Sequence, residues 1–339
     1  MSVLTAAERA RARDGVSVDA LTAGLLDQRF ELVQRGELRT LLGESAHQSS
    51  TRLLLGRPTP CVGREQELGL LDSVLHTSVE ESRSRAVLVV GPPGVGKTRL
   101  WHELLRRFQA RQDLANEGEL LLGRGDPLAS ERPYGLLNQA VRRLCGAWSL
   151  SEPQALREAL LAHIGDQLAP AAAAHVVTFL CEMCGISVEE DVDSELAAAH
   201  KDPQRMAEQI RLAFSDFVRA RCAIRPVLFV AEDLHWADPQ SVQILGDVLV
   251  ELADQPLVVL GLARPQVHER FGSLWSGQVQ EVPLRALSRR EGEVLSRCAR
   301  GRSNKEIAYA MGLGFSSISR AMEGGMPVMR RLGSMEGRE

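Results

Sequence analysis

Residues 86–98 read Ala86-Val87-Leu88-Val89-Val90-Gly91-Pro92-Pro93-Gly94-Val95-Gly96-Lys97-Thr98, and this stretch decides the fold. Its apolar run, 86–90, has the length of a strand buried on both faces. Residues 91–98 fit G-x-x-x-x-G-K-[ST] at every fixed position. From Thr98 to about residue 109, Leu100, Trp101, Leu104, Leu105 and Phe108 form one stripe and predict an amphipathic helix. Strand, glycine-rich loop and helix in this order make a cradle for phosphate. Glycine lacks a Cβ, so the backbone of Gly91, Pro92, Pro93, Gly94, Val95 and Gly96 can curl and turn its N–H groups inward. The helix start adds the positive end of its dipole. Lys97 is expected to reach the β- and γ-phosphates and the Thr98 hydroxyl to bind Mg2+. The bland alternative is a turn that ends in Lys-Thr by chance; the flanking strand and helix argue against it.

Outward from this loop the pattern alternates. Apolar runs at 120–122, 227–231 and 257–262 predict further strands, and helical spacing marks 66–75 and 241–252. Residues 132–222 read as a long, largely helical insertion. The expected fold class is α/β: a P-loop, doubly wound, mostly parallel sheet with a helical insertion, plus a small all-α C-terminal unit. Gly56-Arg57-Pro58-Thr59-Pro60 is a stiff boundary, because two prolines fix φ and remove two donors. Three segments follow: 1–57, of unknown role; 58–285, the P-loop domain; and 286–339. The first reads as charged and helix-prone, with a helix and then a short strand over 18–33.

A phosphate loop needs a carboxylate at the end of a neighbouring strand to hold Mg2+. Val227-Leu228-Phe229-Val230-Ala231-Glu232-Asp233 supplies two candidates. Glu232 is assigned to Mg2+ and Asp233 to the attacking water; the reverse assignment fits the spacing as well, so both stand as metal candidates. Asp233 or Asp238 could instead cap the next helix, and Asp238 before Pro239 fits a cap.

On these residues the chain resembles bacterial STAND/AAA-type signalling ATPases. Val62-Gly63-Arg64-Glu65-Gln66-Glu67-Leu68 resembles their VGRExEL opening. The loop 91–98 and the stretch Glu232-Asp233-Leu234-His235-Trp236-Ala237-Asp238-Pro239 resemble their Walker A and Walker B motifs, in order. Gly261-Leu262-Ala263-Arg264-Pro265 resembles their sensor segment. The resemblance implies that Arg64 lies near the adenine and that Arg264 senses the γ-phosphate; a solvated helix start and a surface arginine are the alternatives. The family's usual Mg2+ residue is Asp, where this chain has Glu232. ATP is favoured over GTP, since Asn304-Lys305 is followed by Glu306-Ile307 and not by the guanine-reading N-K-x-D.

The C-terminal stretch resembles a LuxR-type helix-turn-helix. Leu287-Ser288-Arg289-Arg290-Glu291-Gly292-Glu293-Val294-Leu295 resembles its first helix, Gly301-Arg302-Ser303-Asn304-Lys305-Glu306-Ile307-Ala308 its second, and Arg330-Arg331-Leu332-Gly333 its close. Lys305, Ser316, Ser317, Ser319 and Arg320 are the candidate DNA contacts. Gly324-Gly325-Met326-Pro327 interrupts the recognition helix. A helical lid on the ATPase is the competing reading.

Composition is ordinary for a soluble globular protein. Net charge is −4 over 339 residues, with 44% hydrophobic and 4% aromatic. From residue 287 onward, ten basic and six acidic residues give +4, leaving 30 − 38 = −8 for the rest. A mildly basic tail on an acidic body suits DNA. Only three of the 40 cations are lysines, and two of them, Lys97 and Lys305, fall inside motifs. Cys181 and Cys184 read as buried core thiols rather than a zinc pair. The charged N-terminus is unlike a signal peptide and no apolar run reaches membrane length, so a cytoplasmic protein without membrane contact is expected. The leading function is an ATP-switched transcriptional regulator that binds ATP and DNA, with self-association possible; whether it hydrolyses ATP stays open. The alternatives are an ATPase module of a kinase- or cyclase-type signalling protein, or a nucleotide-binding scaffold.

Overall fold

The computed structural model describes residues 16–19, 22–23, 30–35, 38–44, 53–54, 57–58, 61, 63–110, 118–146, 153–186, 195–275, 279–286, 292–293, 296–297 and 306. Within the N-terminal segment, β1 (Val16–Val18), β2 (Phe30–Arg35) and β3 (Leu38–Glu44) form an antiparallel sheet in the order β1-β3-β2. This corrects the helix-prone reading of that segment. Thr22 and Ala23 are helical, with Asp19 Oδ1 accepting the Thr22 N–H at 2.6 Å, but strands dominate the described residues. The signal was present: two β-prone runs stand either side of Gly36-Glu37, the spacing of a hairpin. Two further short strands, β4 (Leu53–Leu54) and β5 (Arg57–Pro58), pair antiparallel.

The central sheet contains β6 (Arg85–Val90), β7 (Glu119–Arg124), β8 (Val227–Glu232), β9 (Leu257–Ala263) and β10 (Val279–Pro283). Their order is β10-β6-β9-β8-β7, and every neighbouring pair is parallel. Four of the five were expected from apolar runs. Edge strand β10 was not, because Gln280 and Glu281 face solvent and no apolar run marks it.

Side chains alternate across β6 to fill two cores. Val87 and Val89 pack with Leu68, Leu71 and Leu75 of α1 (Glu65–Glu81) and with Leu100, Trp101 and Leu104 of α2 (Lys97–Ala110). Ala86, Leu88 and Val90 face the other, larger core. That core takes in the helical insertion: α3 (Gly135–Leu144), α4 (Pro153–Ile164), α5 (Pro170–Met183), α6 (Glu195–His200) and α7 (Pro203–Ile224). Cys181 and Cys184 are buried there, and burial pushes their thiols up to about 11 and about 12. Inside the same core Arg221 of α7 forms a bidentate pair with Glu119 of β7 (2.6 and 2.8 Å).

Beyond β8 the chain forms α8 (Pro239–Glu251), and α9 (Gln266–Phe271) follows β9. Asp238 holds the start of α8, as its place before Pro239 suggested. Its carboxylate accepts from the backbone N–H and the hydroxyl of Ser241, both at 2.8 Å. It also accepts from the N–H groups of Tyr134 (2.8 Å) and Leu136 (3.2 Å) at the start of α3. One buried carboxylate therefore caps two helices and ties the insertion to the sheet. Asp238→Ala is expected to destabilise the domain by about 2–4 kcal/mol, through a lost cap and orphaned buried donors. Urea unfolding measures this; an unchanged midpoint would contradict it.

Candidate functional site

Parallel strand order brings the predicted residues to one edge. β9 lies between β6 and β8, so the carboxyl ends of these three strands sit side by side. Gly91 leaves β6, Arg264 leaves β9, and Glu232 closes β8 with Asp233 next. The carboxyl edge of an open parallel sheet is where such folds place ligands.

The loop 91–96 is curled. Gly94 and Gly96 have φ of 77° and 99°, a region that side chains disfavour. Pro92, Pro93, Gly94 and Thr98 are exposed, while Val95 and Gly96 are half-buried. Gly91 has a different reason to be glycine: a Cβ there would lie 2.5 Å from the Leu284 carbonyl oxygen just beyond β10. Its own N–H donates to Ala263 O at 3.1 Å, joining the loop to the end of β9.

Lys97 opens α2 and is buried. Its Nζ donates to the carbonyls of Gly91 (2.7 Å) and Pro92 (3.0 Å), so the ammonium is folded back over the loop. Burial pushes its pKa below the usual lysine range, Asp233 draws it up, and Arg264 pushes it down. Lys97, Asp233 and Arg264 thus share one electrostatic neighbourhood although they come from three strand ends.

Glu232 is buried, and its Oε1 accepts from Trp101 Nε1 at 2.7 Å. Trp101, read from the sequence only as part of the α2 stripe, is therefore a positioning residue. Asp233 adopts a left-handed backbone (φ 48°, ψ 41°), which Asp tolerates better than most residues. Its carboxylate meets Arg124, at the end of β7, through Nη2 at 2.9 Å and Nε at 3.0 Å. The turn packs tightly against the neighbouring strand: a Cβ on Gly125 would lie 2.3 Å from Asp233 O.

Arg64 lies immediately before α1, buried, and its guanidinium is engaged with protein groups. It donates to Val95 O (3.0 Å), Arg285 O (2.6 Å) and Glu67 Oε1 (3.1 Å). It braces the phosphate loop against the chain leaving β10.

These residues fit a nucleoside triphosphate with Mg2+. The curled loop offers backbone N–H groups, the α2 start its dipole, and Lys97 a cation within a side chain's swing. Among the described residues no group of three His, Cys, Asp or Glu side chains could hold a metal ion. Mg2+ held by the Thr98 hydroxyl, one carboxylate, phosphate and water needs no such cage. When bound, it would offset negative charge on the phosphates.

The C-terminal candidates Lys305, Ser316, Ser317, Ser319 and Arg320 lie outside the described residues. Of the expected first helix, Gly292, Glu293, Ser296 and Arg297 are helical, and Arg297 pairs with Glu293 at 2.6 Å.

Comparison with known proteins agrees with this geometry. Residues 60–260 match the AAA ATPase domain family, and residues 285–320 match the family of bacterial regulatory proteins of luxR type. An uncharacterized protein of Rhizobium meliloti (strain 1021) is 28% identical over 225 residues, 64% of this chain but 19% of that protein. The chain therefore spans about a fifth of the length of that relative. Among solved structures, the Aeropyrum pernix ORC2 protein (ADPNP-ADP complexes) is similar with a TM-score of 0.43 and 13% identity, over 86% of this chain and 75% of that one. Drosophila ORC bound to DNA gives 0.37 and 17%, over 94% and 75%. At these scores the structural likeness is loose. The family match spans more than half of the residues and contains the phosphate loop and the acidic turn, and the chain belongs to the AAA ATPase domain family.

Proposed function

We propose that the chain is an ATP-binding switch whose nucleotide state controls DNA binding by its C-terminal residues, acting as a transcriptional regulator. The observation that carries this is the delivery of the 91–98 loop, Asp233 and Arg264 to one carboxyl edge of the sheet by β6, β8 and β9, beside a luxR-type match that begins at residue 285. In this reading the loop 91–98 holds the phosphates, with Lys97 turning from the Gly91 and Pro92 carbonyls to the β- and γ-oxygens. Thr98 and Glu232 hold Mg2+, with Asp233 as the alternative ligand. Asp233, oriented by Arg124, polarises the attacking water, and Arg264 stabilises charge at the γ-phosphate. Lys305, Ser316, Ser317, Ser319 and Arg320 contact DNA. The corresponding organisation is 1–57 as an N-terminal segment, 58–285 as the ATPase and 286–339 as the DNA-binding unit, in a cytoplasmic protein that can self-associate. No helix among the described residues is long and apolar enough to cross a membrane.

A physical link joins the two ends of this switch. Leu284 N donates to Val90 O at 2.6 Å, and Arg64 bridges Val95 O and Arg285 O. Movement of the loop on binding phosphate would therefore be felt at residues 284–285, where the luxR-type stretch begins. Arg64, placed near the adenine by the family resemblance, also takes a bracing role in this proposal, because its guanidinium donates to two carbonyls and to Glu67.

A second reading, an ATPase module of a larger signalling protein, is favoured by the far greater length of the Rhizobium meliloti relative. Salt-dependent binding to duplex DNA separates the two: the regulator loses affinity steeply as salt rises, and the module binds no DNA.

Lys97→Ala is expected to abolish steady ATP turnover and to weaken ATP binding at least tenfold, read by phosphate release and calorimetry. Wild-type ATP affinity in that variant would remove the site assignment. Arg64→Ala is expected to leave DNA affinity without nucleotide within about twofold while bringing the ATP-dependent change in that affinity close to none. Fluorescence anisotropy on duplex DNA checks this, and an undiminished ATP effect would exclude the Arg64 link.

A further inference from the structure

His235 is a buried group of the site to which the roles above give no task. It lies in the short turn Leu234–Trp236 that follows Asp233, and it is 4% exposed. Its Nδ1 faces the backbone N–H of Arg264 at 3.4 Å and accepts from it. A neutral ring that accepts at Nδ1 carries its proton on Nε2. That Nε2 is buried and has no hydrogen-bond partner among the described residues. Two other buried side-chain nitrogens share this condition among the described residues, Arg85 Nε and Arg99 Nε. Both belong to guanidiniums whose other nitrogens pair with Glu81 and Glu103, so His235 is the case where a whole donor side is left over.

The surroundings say what that donor meets. The ring lies in the fields of Asp233, Arg264 and Lys97, the three residues assigned above to the phosphate end of the site, with Arg270 further along α9. Burial pushes the imidazole down to about 4; Asp233 draws it up, and Arg264 and Lys97 add to the fall. Because Nδ1 accepts from the Arg264 N–H, the ring is the uncharged tautomer with its proton on Nε2. A neutral donor next to two cations and a carboxylate can approach an anion without disturbing the charge balance around Lys97. Buried polar groups in native proteins are nearly always paired, and one left unpaired at a site is a place where a ligand completes the bond.

We propose that His235 is a specificity-determining residue of the nucleotide site: Nδ1 fixes the backbone at Arg264, and Nε2–H donates to an oxygen of the γ-phosphate, so that triphosphate is held more tightly than diphosphate. This rests on the phosphate-loop reading above. One side chain then joins the acidic turn after β8 to the segment after β9, and the two respond to the γ-phosphate together.

The test is calorimetric titration, with Mg2+, of wild type, His235→Asn and His235→Gln by a non-hydrolysable ATP analogue and by ADP. The Asn amide oxygen can take the place of Nδ1 but leaves no donor where Nε2 stands; the Gln amide nitrogen reaches that place. Expected is roughly tenfold weaker analogue binding in His235→Asn with ADP affinity within about twofold, and substantial recovery of analogue binding in His235→Gln. A folded His235→Asn whose two affinities stay at wild-type values, or fall by the same factor, overturns the proposal. If circular dichroism shows His235→Asn unfolded, His235→Met, which also lacks the donor, decides in its place: selective loss of analogue binding supports the proposal, and an unchanged analogue-to-ADP ratio overturns it. Failure of wild type to bind either nucleotide is a different result, and it removes the phosphate-loop reading together with this one.

Discussion

Parallel pairing of β6, β9 and β8 is the constraint on which the rest depends. Three consecutive parallel strands point their carboxyl ends the same way, about 5 Å apart. Whatever follows each strand is then delivered to one edge. Here a curled glycine loop, an arginine and an acidic pair follow, separated by up to about 170 positions in sequence and by one or two strand spacings in the fold. The apolar strands exist to be buried on both faces, and their burial sets the site without any contribution from the site residues themselves.

The polar groups behind the edge hold it in one arrangement. Trp101 fixes Glu232, Arg124 fixes Asp233, and Asp238 caps two helices at once. Arg64 holds the loop from below and reaches the segment that leaves the sheet after β10. A domain braced in this way can pass a change at the loop to residues 284–285 through hydrogen bonds rather than through a loose linker.

Much of this was legible in the sequence, for definite reasons. The loop, its strand and its helix are contiguous, and each obeys a local rule, so residues 86–109 could be read directly. Strands β7, β8 and β9 announced themselves as apolar runs, and Asp238 before Pro239 as a cap. The luxR-type resemblance was carried by residues 287–308 and 330–333, and the family match over 285–320 contains the first of these and ends before Gly324-Gly325. Other features depend on partners far away in sequence. Nothing near Trp101 says that its indole will meet residue 232, and nothing near Arg124 points to residue 233. His235 was quoted within a motif with no role, since its meaning comes from an N–H on another strand. Edge strand β10 is too polar to stand out, and of the three strands in the N-terminal sheet only the one beginning at Phe30 was anticipated, as the short strand closing 18–33; charged residues mask the other two.

The central claim is that the backbone of residues 91–98 grips a triphosphate next to the acidic turn. Hydrogen–deuterium exchange with and without Mg2+ and a non-hydrolysable ATP analogue tests it most directly. The account predicts slower exchange confined to peptides covering 91–98, 232–235 and 263–264, with lesser slowing at 284–286. Exchange unchanged at 91–98, or protection elsewhere with that loop untouched, would contradict it.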